Sequence, residues 1–541
     1  MAEGGLGRAA AVLASGTFVS RILGFASALL LAGTLGTVGA SANAFTLANQ
    51  LPNNIYAIVA GGVLSAVLVP QIVRASSDPD GGQGFINKLV TLGLVVFLAA
   101  ATVATLCAPV LVRLYAQQGS GGVGFTAEQI ELATAFAYWC LPQVLFYAIY
   151  SLLGEVLNAR KVFGPFTWSP ALNNVVVIAG LVAFLVLFGG PEQHEDPGTW
   201  APGKIALLAG SATLGIAVQA LILFFFWKRA GLTYRPNFAW RGVGLGRTGR
   251  AAAWVFGMIL VTQLAGLVQS NVATLAGSGD AASNTVLRYS WLIFMLPHSI
   301  VTVSLATAYF TRMSTHAHEG ALDKVRADVS SSLRSVGLFM VFASLGLVAL
   351  AYPMAAVFDP RNVAAMGNVL IAYLPGLVAF SALFVLQRVF YALEDTRTPF
   401  FLQVVQSGLF VVLALLCAQL PVEWIAVGIA TSTTIAGTAQ TVVALLVLRR
   451  RLGGIDAARV VRRYVQFLVA ALVAAAVGVG VLALLGAFSG GFAVDSRLTA
   501  ILSMLLTGPV MAGVYGGILA LMRSPELADV AGPVIRRLRR R

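Results

Sequence analysis

Charged residues are scarce in this chain of 541 residues. They make up 10% of the sequence and 58% is hydrophobic, whereas soluble domains carry about 25% charged residues. Cysteine is scarcer still: Cys107, Cys140 and Cys417 lie inside apolar segments without paired spacing, which argues against a disulfide framework or a metal site. No segment between the apolar runs is long enough for a soluble catalytic domain. The composition therefore predicts a polytopic all-α membrane protein.

The apolar runs are long enough to cross a hydrocarbon core about 30 Å thick. We count fourteen of them along the chain, with boundaries uncertain by about 2–4 residues. They lie near 9–36, 43–73, 86–115, 128–153, 165–189, 203–228, 250–277, 283–312, 332–358, 362–391, 399–420, 423–448, 463–488 and 498–522.

Basic residues follow these spans asymmetrically. All but six of the 35 lysines and arginines fall on the N-terminal tail, on every second loop or on the C-terminal tail. The positive-inside rule then predicts that both termini are cytoplasmic. The net charge of +14 and the tail "IRRLRRR" at 535–541 are interpreted as contacts with anionic lipid and not with nucleic acid. The six exceptions are Arg21, Arg113, Lys204, Arg288, Arg361 and Arg497.

An internal repeat is visible in two connections between spans. "SLLGEVLNARKVFGPF" (151–166) and "VLQRVFYALEDTRTPF" (385–400) align on Pro165 and Pro399, an offset of 234 residues. Transporters are often built from such repeats, with the substrate site between them near the midplane. We therefore predict two six-helix lobes followed by two additional helices. The predicted bounds are 1–235 for the N-terminal lobe, 236–452 for the C-terminal lobe and 453–541 for the last two helices and the basic tail.

No carboxylate is predicted in a membrane core, because the 21 acidic residues fall in loops or near span ends. Carriers that capture cations usually need one. Arg21, in contrast, lies about twelve residues inside the first span, where an arginine usually faces a cavity. Thr17, Gly24 and Ala28 lie at helical spacing from it (i−4, i+3 and i+7) and predict a small, polar face. The pattern indicates a site for an anionic substrate.

The second span contains "NQLPNNIYAIVAGG" at 49–62. Pro52 removes a helix hydrogen bond, and Gly61 with Gly62 loosens the next turn, so we predict a broken or bent helix. Broken membrane helices are tolerated where they line a cavity. Asn53 and Tyr56 are therefore candidate substrate contacts, with hydrogen bonding between helices as the alternative.

Spans seven and eight add further polar residues. Gln263 and Asn271 lie on one face of span seven and are predicted to contact substrate. Span eight carries Arg288, a second cation, and Pro297, a predicted kink. His298 next to it is interpreted as a packed side chain.

An enzyme is not indicated. There is no Gly-rich phosphate loop with a Lys-Ser/Thr pair, and no cluster of metal ligands, so we predict a transporter with no cofactor and no metal site. A membrane-embedded transferase and a structural scaffold remain alternatives. A transferase should show acidic or histidine clusters at a span–loop junction, and a scaffold has no need of Arg21 and Arg288.

Four motifs together resemble one known family. They are "SRILGF" (20–25), "LPNN" with "AGGVLSAVLVPQ" (51–54 and 60–71), "LNARKVFGPFTWSPALNN" (157–174) and "FYALEDTRTPF" (390–400). The chain resembles the MurJ/MviN-type lipid II flippases of the multidrug/oligosaccharidyl-lipid/polysaccharide exporter superfamily. The resemblance extends through spans 1–12, and the two additional helices fit it.

The resemblance implies a multi-pass plasma-membrane protein that moves lipid II, the lipid-linked peptidoglycan precursor, to the outer leaflet for cell-wall synthesis. It implies alternating access, a cationic cavity for the pyrophosphate head group and a groove for the polyprenyl tail. Expected partners are lipid II, membrane lipids and proteins of cell-wall synthesis or division, with the chain itself a monomer. Two alternatives stay open: a flippase for another polyprenyl-pyrophosphate-linked glycan, and a small-molecule antiporter of the same superfamily.

At the level of single residues, Arg21 matches the arginine of the family's first span. The chain departs from the family at four places. Ser27 stands where the family has a second arginine in span one, and Asn43 stands at the family's acidic residue near the start of span two. Tyr56 and Ala57 stand at the family's arginine pair after Leu-Pro-Asn, and Leu292, one turn from Arg288, stands at the family's arginine of span eight.

Overall fold

A computed structural model describes most of the chain, and its secondary structure is almost entirely helical. The described residues are 3–63, 80–119, 123–160, 162–229, 231–239 and 249–529. The chain divides into two compact units, Met1–Gly279 and Asp280–Arg541.

The first unit contains nine described helices. They are α1 (Glu3–Leu35), α2 (Ala40–Val63), α3 (Gln83–Leu106), α4 (Ala108–Tyr115), α5 (Ala127–Cys140), α6 (Gln143–Ala159), α7 (Phe163–Phe188), α8 (Pro202–Arg229) and α9 (Gly249–Thr274). Two 3-10 turns, Pro191–Gln193 and Pro197–Thr199, lie between α7 and α8.

The second unit contains eleven described α-helices and one π-helical turn, His298–Thr302. The helices are α10 (Asn284–Pro297), α11 (Val303–His318), α12 (Leu322–Ala349), α13 (Ala351–Phe358), α14 (Val363–Tyr373), α15 (Gly376–Ala392), α16 (Arg397–Cys417), α17 (Val422–Arg451), α18 (Ala457–Leu484), α19 (Phe492–Asp495) and α20 (Arg497–Leu521).

Twelve spans in the described residues are long and apolar enough to cross a membrane, and the bent pair α14 and α15 makes a thirteenth. Each overlaps one of the predicted spans. The remaining prediction, at 43–73, coincides with α2 as far as Val63, and 64–79 lies outside the described residues. The predicted fold class is therefore confirmed, while the cytoplasmic placement of both termini stays a prediction.

The two predicted helix irregularities have different outcomes. α2 is continuous through Pro52 as far as Val63, so the predicted break is wrong in the described part of this span, and a bend stays a prediction. One missing N–H removes a single backbone hydrogen bond, and the helix continues because its neighbours hold it, with Leu51 and Pro52 both buried. At Pro297 the α-helix does end, and a π-helical turn follows before α11.

The positions at which the spans are interrupted repeat after six spans. Span three consists of α3 and the eight-residue α4, which meet at Cys107. Span nine consists of α12 and the eight-residue α13, which meet at Leu350. Spans four and ten break at Pro142 and Pro375. The same break pattern in both halves supports an internal repeat, whereas the lobe bounds stay a prediction.

α9, the first helix of the second repeat, belongs to the first compact unit. It packs against α2 and α4, whereas its counterpart α1 packs against α7 of its own repeat. Ser270 Oγ donates to the backbone oxygen of Tyr115 at 2.9 Å. The two compact units therefore divide after span seven and not after span six.

The last two long helices belong to the second unit. α18 packs on α12, and α20 packs on α18 and α13. Phe467 and Met511 are fully buried with Leu338 in one apolar cluster, and Tyr515 Oη donates to the backbone oxygen of Leu338 at 2.6 Å. Burying these side chains attaches the C-terminal pair of helices to α12.

At the break in span four, a backbone carbonyl accepts a hydrogen bond from a hydroxyl of span six, the last span of the same repeat. α5 ends at Cys140, so carbonyls of its last turn need donors from outside the helix. Thr213 of α8 donates to the backbone oxygen of Trp139 at 2.7 Å. Gln143, which is fully buried, donates from Nε2 to Thr213 Oγ1 at 2.9 Å.

The break in span ten has the same arrangement. Thr434 of α17 donates to the backbone oxygen of Ala372 at 2.8 Å, again three residues before the proline, Pro375. Gly376 takes the place of the glutamine, and a Cβ there would lie 2.9 Å from Thr434 Oγ1. The glycine thus permits the close approach of α17, and the two halves of this span are bent by 43°.

We expect Thr434→Val and Thr213→Val each to destabilise the protein by about 1–2 kcal/mol, because each removes the interhelical donor to a carbonyl in a membrane span. The measurement is the midpoint of thermal unfolding in detergent. Thr431→Val is the matched control, since its hydroxyl bonds only to Val427 of its own helix. Equal midpoints for the control and the two test variants would contradict the capping role.

Candidate substrate-binding site

α1 is held against α7 by small residues and one amide. At Gly16 a Cβ would lie 2.9 Å from the ring of Trp168, and at Gly24 it would lie 3.6 Å from the amide of Asn174. Asn174 Nδ2 donates to the backbone oxygen of Ser20 at 3.0 Å. This close packing fixes the rotation of α1 about its own axis and so determines where its polar residues point.

Arg21 is exposed on the surface of the first unit. Thr17, one turn earlier, is also exposed, and Ala28 is half-buried. Gly24, predicted to share this face, instead serves the contact with α7. The structure therefore places Arg21 at the edge of the α1–α7 contact, as an exposed residue.

Arg288 is exposed within a helix that is otherwise buried. Every other residue of 282–290 is buried, and α10 packs against α14 and α17. The apolar residues Val286 and Leu287 face these neighbours with at most 2% of their surface exposed. An unpaired charge is costly to bury, which explains why the arginine takes the one open direction. The second unit therefore also presents a cation within a span.

The candidates of span two point in different directions. Asn53 is exposed, whereas Tyr56 is half-buried. The ring of Tyr56 lies 5.8 Å from that of Phe97 and 5.7 Å from that of Tyr147, between centroids, and its hydroxyl is hydrogen-bonded to Ser151. Asn53 is thus accessible to a ligand, while Tyr56 already packs against α3 and α6.

The candidates of span seven also differ. Gln263 is half-buried. Asn271 Nδ2 donates to the backbone oxygens of Leu114 at 2.7 Å and of Leu267 at 3.0 Å. One amide hydrogen of Asn271 therefore holds α9 against the end of α4 and the other bonds within α9, so its predicted contact with substrate would have to use the amide oxygen.

Gln129 is a polar residue that the sequence analysis did not single out. It is fully buried, and its Nε2 donates to the backbone oxygens of Ala40 at 2.9 Å and Gly277 at 2.8 Å. Asn43 Nδ2 donates to the same Gly277 oxygen at 3.2 Å. Both side chains thus hold one end of α2 near the end of α9. A polar residue at a span end was the only sequence signal, and it does not identify a partner.

Acidic residues of the second unit pair with arginines near helix ends. Asp328 lies 2.7 Å from Arg312, and Asp395 lies 2.7 Å from Arg451. Burial by itself would raise the pKa of the Asp395 carboxyl, but hydrogen bonds from Thr398 and the charge of Arg451 outweigh it and lower the pKa. These ion pairs hold helix ends together.

The fold is shared with solved transporters. A structure titled "Lipid II flippase MurJ, inward closed conformation" is similar to this chain with a TM-score of 0.71 and 18% identity, covering 94% of this chain and 99% of the other. An inward-facing multidrug-resistance MATE family transporter of the MOP superfamily is similar with a TM-score of 0.61 and 15% identity, covering 83% and 99%. The chain thus has the fold of a polytopic exporter of this superfamily.

The family follows from the sequence itself. The family model described as "Lipid II flippase MurJ" matches residues 31–501. The "Probable lipid II flippase MurJ" of Haemophilus influenzae is 28% identical over 404 residues, which are 71% of this chain and 75% of the relative. The chain belongs to the lipid II flippase MurJ family, and it is a multi-pass plasma-membrane protein.

Proposed function

We propose that this protein carries lipid II from the inner to the outer leaflet of the plasma membrane by alternating access. The observation that carries the proposal is an exposed arginine within a span of each unit, Arg21 on α1 and Arg288 on α10. A guanidinium group can donate two parallel hydrogen bonds to the oxygens of one phosphate, and it retains its charge when partly buried. The pyrophosphate of lipid II is a ligand that requires such groups, and membership of the family supports this substrate.

The membrane potential supplies a driving force for this direction of transport. With both termini cytoplasmic, export moves a negative charge out of a negative compartment, which is favourable by about 2.3 kcal/mol per net charge and 100 mV. We therefore infer a transporter that needs no nucleotide. We also propose that it works as a monomer, and no enzymatic step is part of the proposal. Partners among cell-wall synthesis or division proteins would receive lipid II at the outer face.

The remaining candidate residues are proposed to contact the head group, to line the site or to form a hinge. Asn53 and Gln263, whose side chains are exposed and half-buried, are proposed to contact the polar head group. Tyr56 and Asn271 are proposed to line the same site while holding neighbouring helices. The interrupted helix at Pro297 is proposed as a hinge, because a π-helical turn can rearrange its hydrogen bonds more readily than an α-helix.

A second cargo is favoured by one observation. Tyr56 stands where the family resemblance implies an arginine, and it packs into an aromatic cluster with Phe97 and Tyr147. The site then has fewer cations than the resemblance implies. This difference favours, as the alternative, another polyprenyl-pyrophosphate-linked glycan whose head group has a different charge or shape.

The test is exposure of lipid II in cells depleted of their own flippase and supplied with this chain. An added enzyme that cannot enter the cell and cleaves lipid II should release its product only if the precursor has reached the outer leaflet. We expect cleavage with the wild-type chain and none with an empty vector. A chain that is present in the membrane but gives no cleavage would contradict lipid II as cargo, and the same assay with other lipid-linked glycans would then identify the alternative.

A further inference from the structure

We propose that Trp291 is the residue on which a sugar ring of the transported head group packs while Arg288 holds the pyrophosphate, an inference that rests on the proposed function and extends its binding site. Trp291 lies on α10, one turn after Arg288. Within residues 282–294, only Arg288, Trp291 and Leu292 are not buried. Residues three and four positions apart share one face of a helix, so the cation and the indole lie side by side on the open face of α10.

The open face of α10, defined by Arg288, Trp291 and Leu292, is not suited to contact with lipid. A charged side chain within a span usually faces the interior of the protein or an aqueous cavity, and Arg288 is on this face. The middle of α18, in contrast, exposes the leucines and valines that contact with lipid requires: Leu468, Val469, Leu472 and Val473. Trp291 therefore shares the polar surroundings of the arginine next to it.

Three aromatic rings fix the orientation of the indole. Phe294 stacks on Trp291, with 4.8 Å between the ring centroids and 12° between the planes. The rings of Tyr373 and Phe380 stand at 62° and 80° to the indole, with centroids at 5.9 Å and 5.6 Å. Phe294 and Tyr373 are each 3% exposed, so they support the indole from the core. A side chain that is already fixed loses little conformational entropy when a ligand binds.

The polar edge of Trp291 is not used in packing. Its contacts with the described residues are the three ring contacts, and none of them employs the indole N–H. Trp200, in contrast, donates from Nε1 to Ser41 Oγ at 2.9 Å, as indole N–H groups usually do when they are buried. Because Trp291 is half-buried, it presents both aromatic surface and a hydrogen-bond donor to a ligand at the open face of α10.

The chemistry of a lipid-linked glycan matches this pair of side chains. Its first sugar is bonded directly to the pyrophosphate, so a phosphate held by Arg288 places a sugar ring beside the next residue along the open face. The C–H surface of a pyranose ring is apolar and can pack on an indole, while its hydroxyl and amide oxygens can accept the indole N–H. Side chains one turn apart on a helix have Cβ atoms about 5–6 Å apart, which agrees with two adjacent groups of one ligand.

The test compares two ligands that differ in their sugars: lipid II, and a polyprenyl pyrophosphate with the same tail and no sugar. Dissociation constants are measured by equilibrium binding of the radiolabelled ligands to the purified full-length protein in detergent. We expect Trp291→Leu to weaken the binding of lipid II by about tenfold and to change that of the polyprenyl pyrophosphate by less than about twofold. Trp291→Phe keeps a smaller aromatic ring and loses the N–H, so its affinity for lipid II should be intermediate.

Two controls separate sugar recognition from other effects. Trp424→Leu removes a tryptophan of α17 that is 53% exposed and should change neither dissociation constant, whereas Arg288→Ala should weaken the binding of both ligands. If Trp291 serves only packing, Trp291→Leu will affect both ligands equally, and an unchanged ratio of the two dissociation constants would overturn the sugar contact but not the flippase. A wild-type chain that binds neither ligand would contradict the proposed function and, with it, the role of Trp291.

Discussion

Replacing Arg21 with alanine is expected to reduce the exposure of lipid II at the outer leaflet by about 10- to 100-fold. Hydrogen bonds to charged groups are worth about 1.5–3 kcal/mol each, and Arg21 is an exposed cation within the first span. The measurement is external cleavage of lipid II in flippase-depleted cells, normalised to the amount of the chain in the membrane. Because Arg21 is exposed, thermal unfolding should be nearly unchanged.

Two further variants make this result interpretable. Arg21→Lys keeps the charge but loses the paired donors of the guanidinium, so we expect intermediate transport. Arg459→Ala removes an exposed arginine on α18 whose nearest carboxylate, Asp456, is 3.9 Å away, and transport should equal that of the wild type. Full transport by Arg21→Ala would eliminate the role proposed for this residue.

Glu526→Ala is expected to destabilise the second unit by about 3 kcal/mol. Glu526 is 5% exposed and ion-paired with Arg334 and Arg463, which come from α12 and α18. Removing the carboxylate leaves two largely buried cations without it, and breaking a buried pair in this way costs about 3–5 kcal/mol. The midpoint of thermal unfolding in detergent should fall by several degrees, and α20 should become more accessible to protease.

A paired variant separates charge from packing at this position. Glu526→Leu combined with Arg334→Met and Arg463→Met removes all three partners, and well-packed apolar replacements of buried ion pairs are often neutral, so most of the stability should return. Asp323→Ala serves as control, because the side chain of Asp323 is 93% exposed. If Glu526→Ala unfolds at the wild-type temperature, the ion pairs do not attach the C-terminal helices.

The same carboxylate predicts a pH dependence. Burial raises the pKa of Glu526, but a hydrogen bond with its own backbone, hydrogen bonds with Arg334 and Ser524, and the charge of Arg463 together lower it below the usual 4.5. A group whose pKa is lowered by folding contributes stability above its unfolded pKa and loses it as the pH falls through the folded value. The difference in stability between the wild type and Glu526→Ala should therefore be constant above about pH 5.5 and shrink below pH 4.5.

Sequence patterns predicted the spans of this protein well, and its polar contacts poorly. Arg21 and Arg288 are both exposed, while the cavity that they were predicted to face stays a prediction. Asn271 was predicted to contact substrate, yet its amide donates to the backbone oxygen of Leu114 at the end of α4 and to that of Leu267 in its own helix. Gln129 gave no clear signal, although it is bonded to both α2 and the end of α9.

The effect of each proline on its helix also could not be predicted from the sequence. Pro52, Pro142 and Pro375 all lie in apolar runs, and any of them could interrupt a helix. The helix is continuous at Pro52 but breaks at Pro142 and Pro375, where Thr213 and Thr434 supply a hydrogen-bond donor from a neighbouring helix. The outcome depends on the neighbour and not on the proline.

The sequence by itself determined the membrane class, the position and order of the thirteen spans found in the described residues, and the family. Each of these rests on local properties, since a bilayer of fixed thickness requires about twenty apolar residues wherever a helix crosses it. Only the tertiary structure decided which prolines break a helix, which amides serve packing and where α9 belongs. Inside a membrane every polar group needs a partner within the protein, and that partner comes from whichever helix packs alongside, often more than a hundred residues away in the chain.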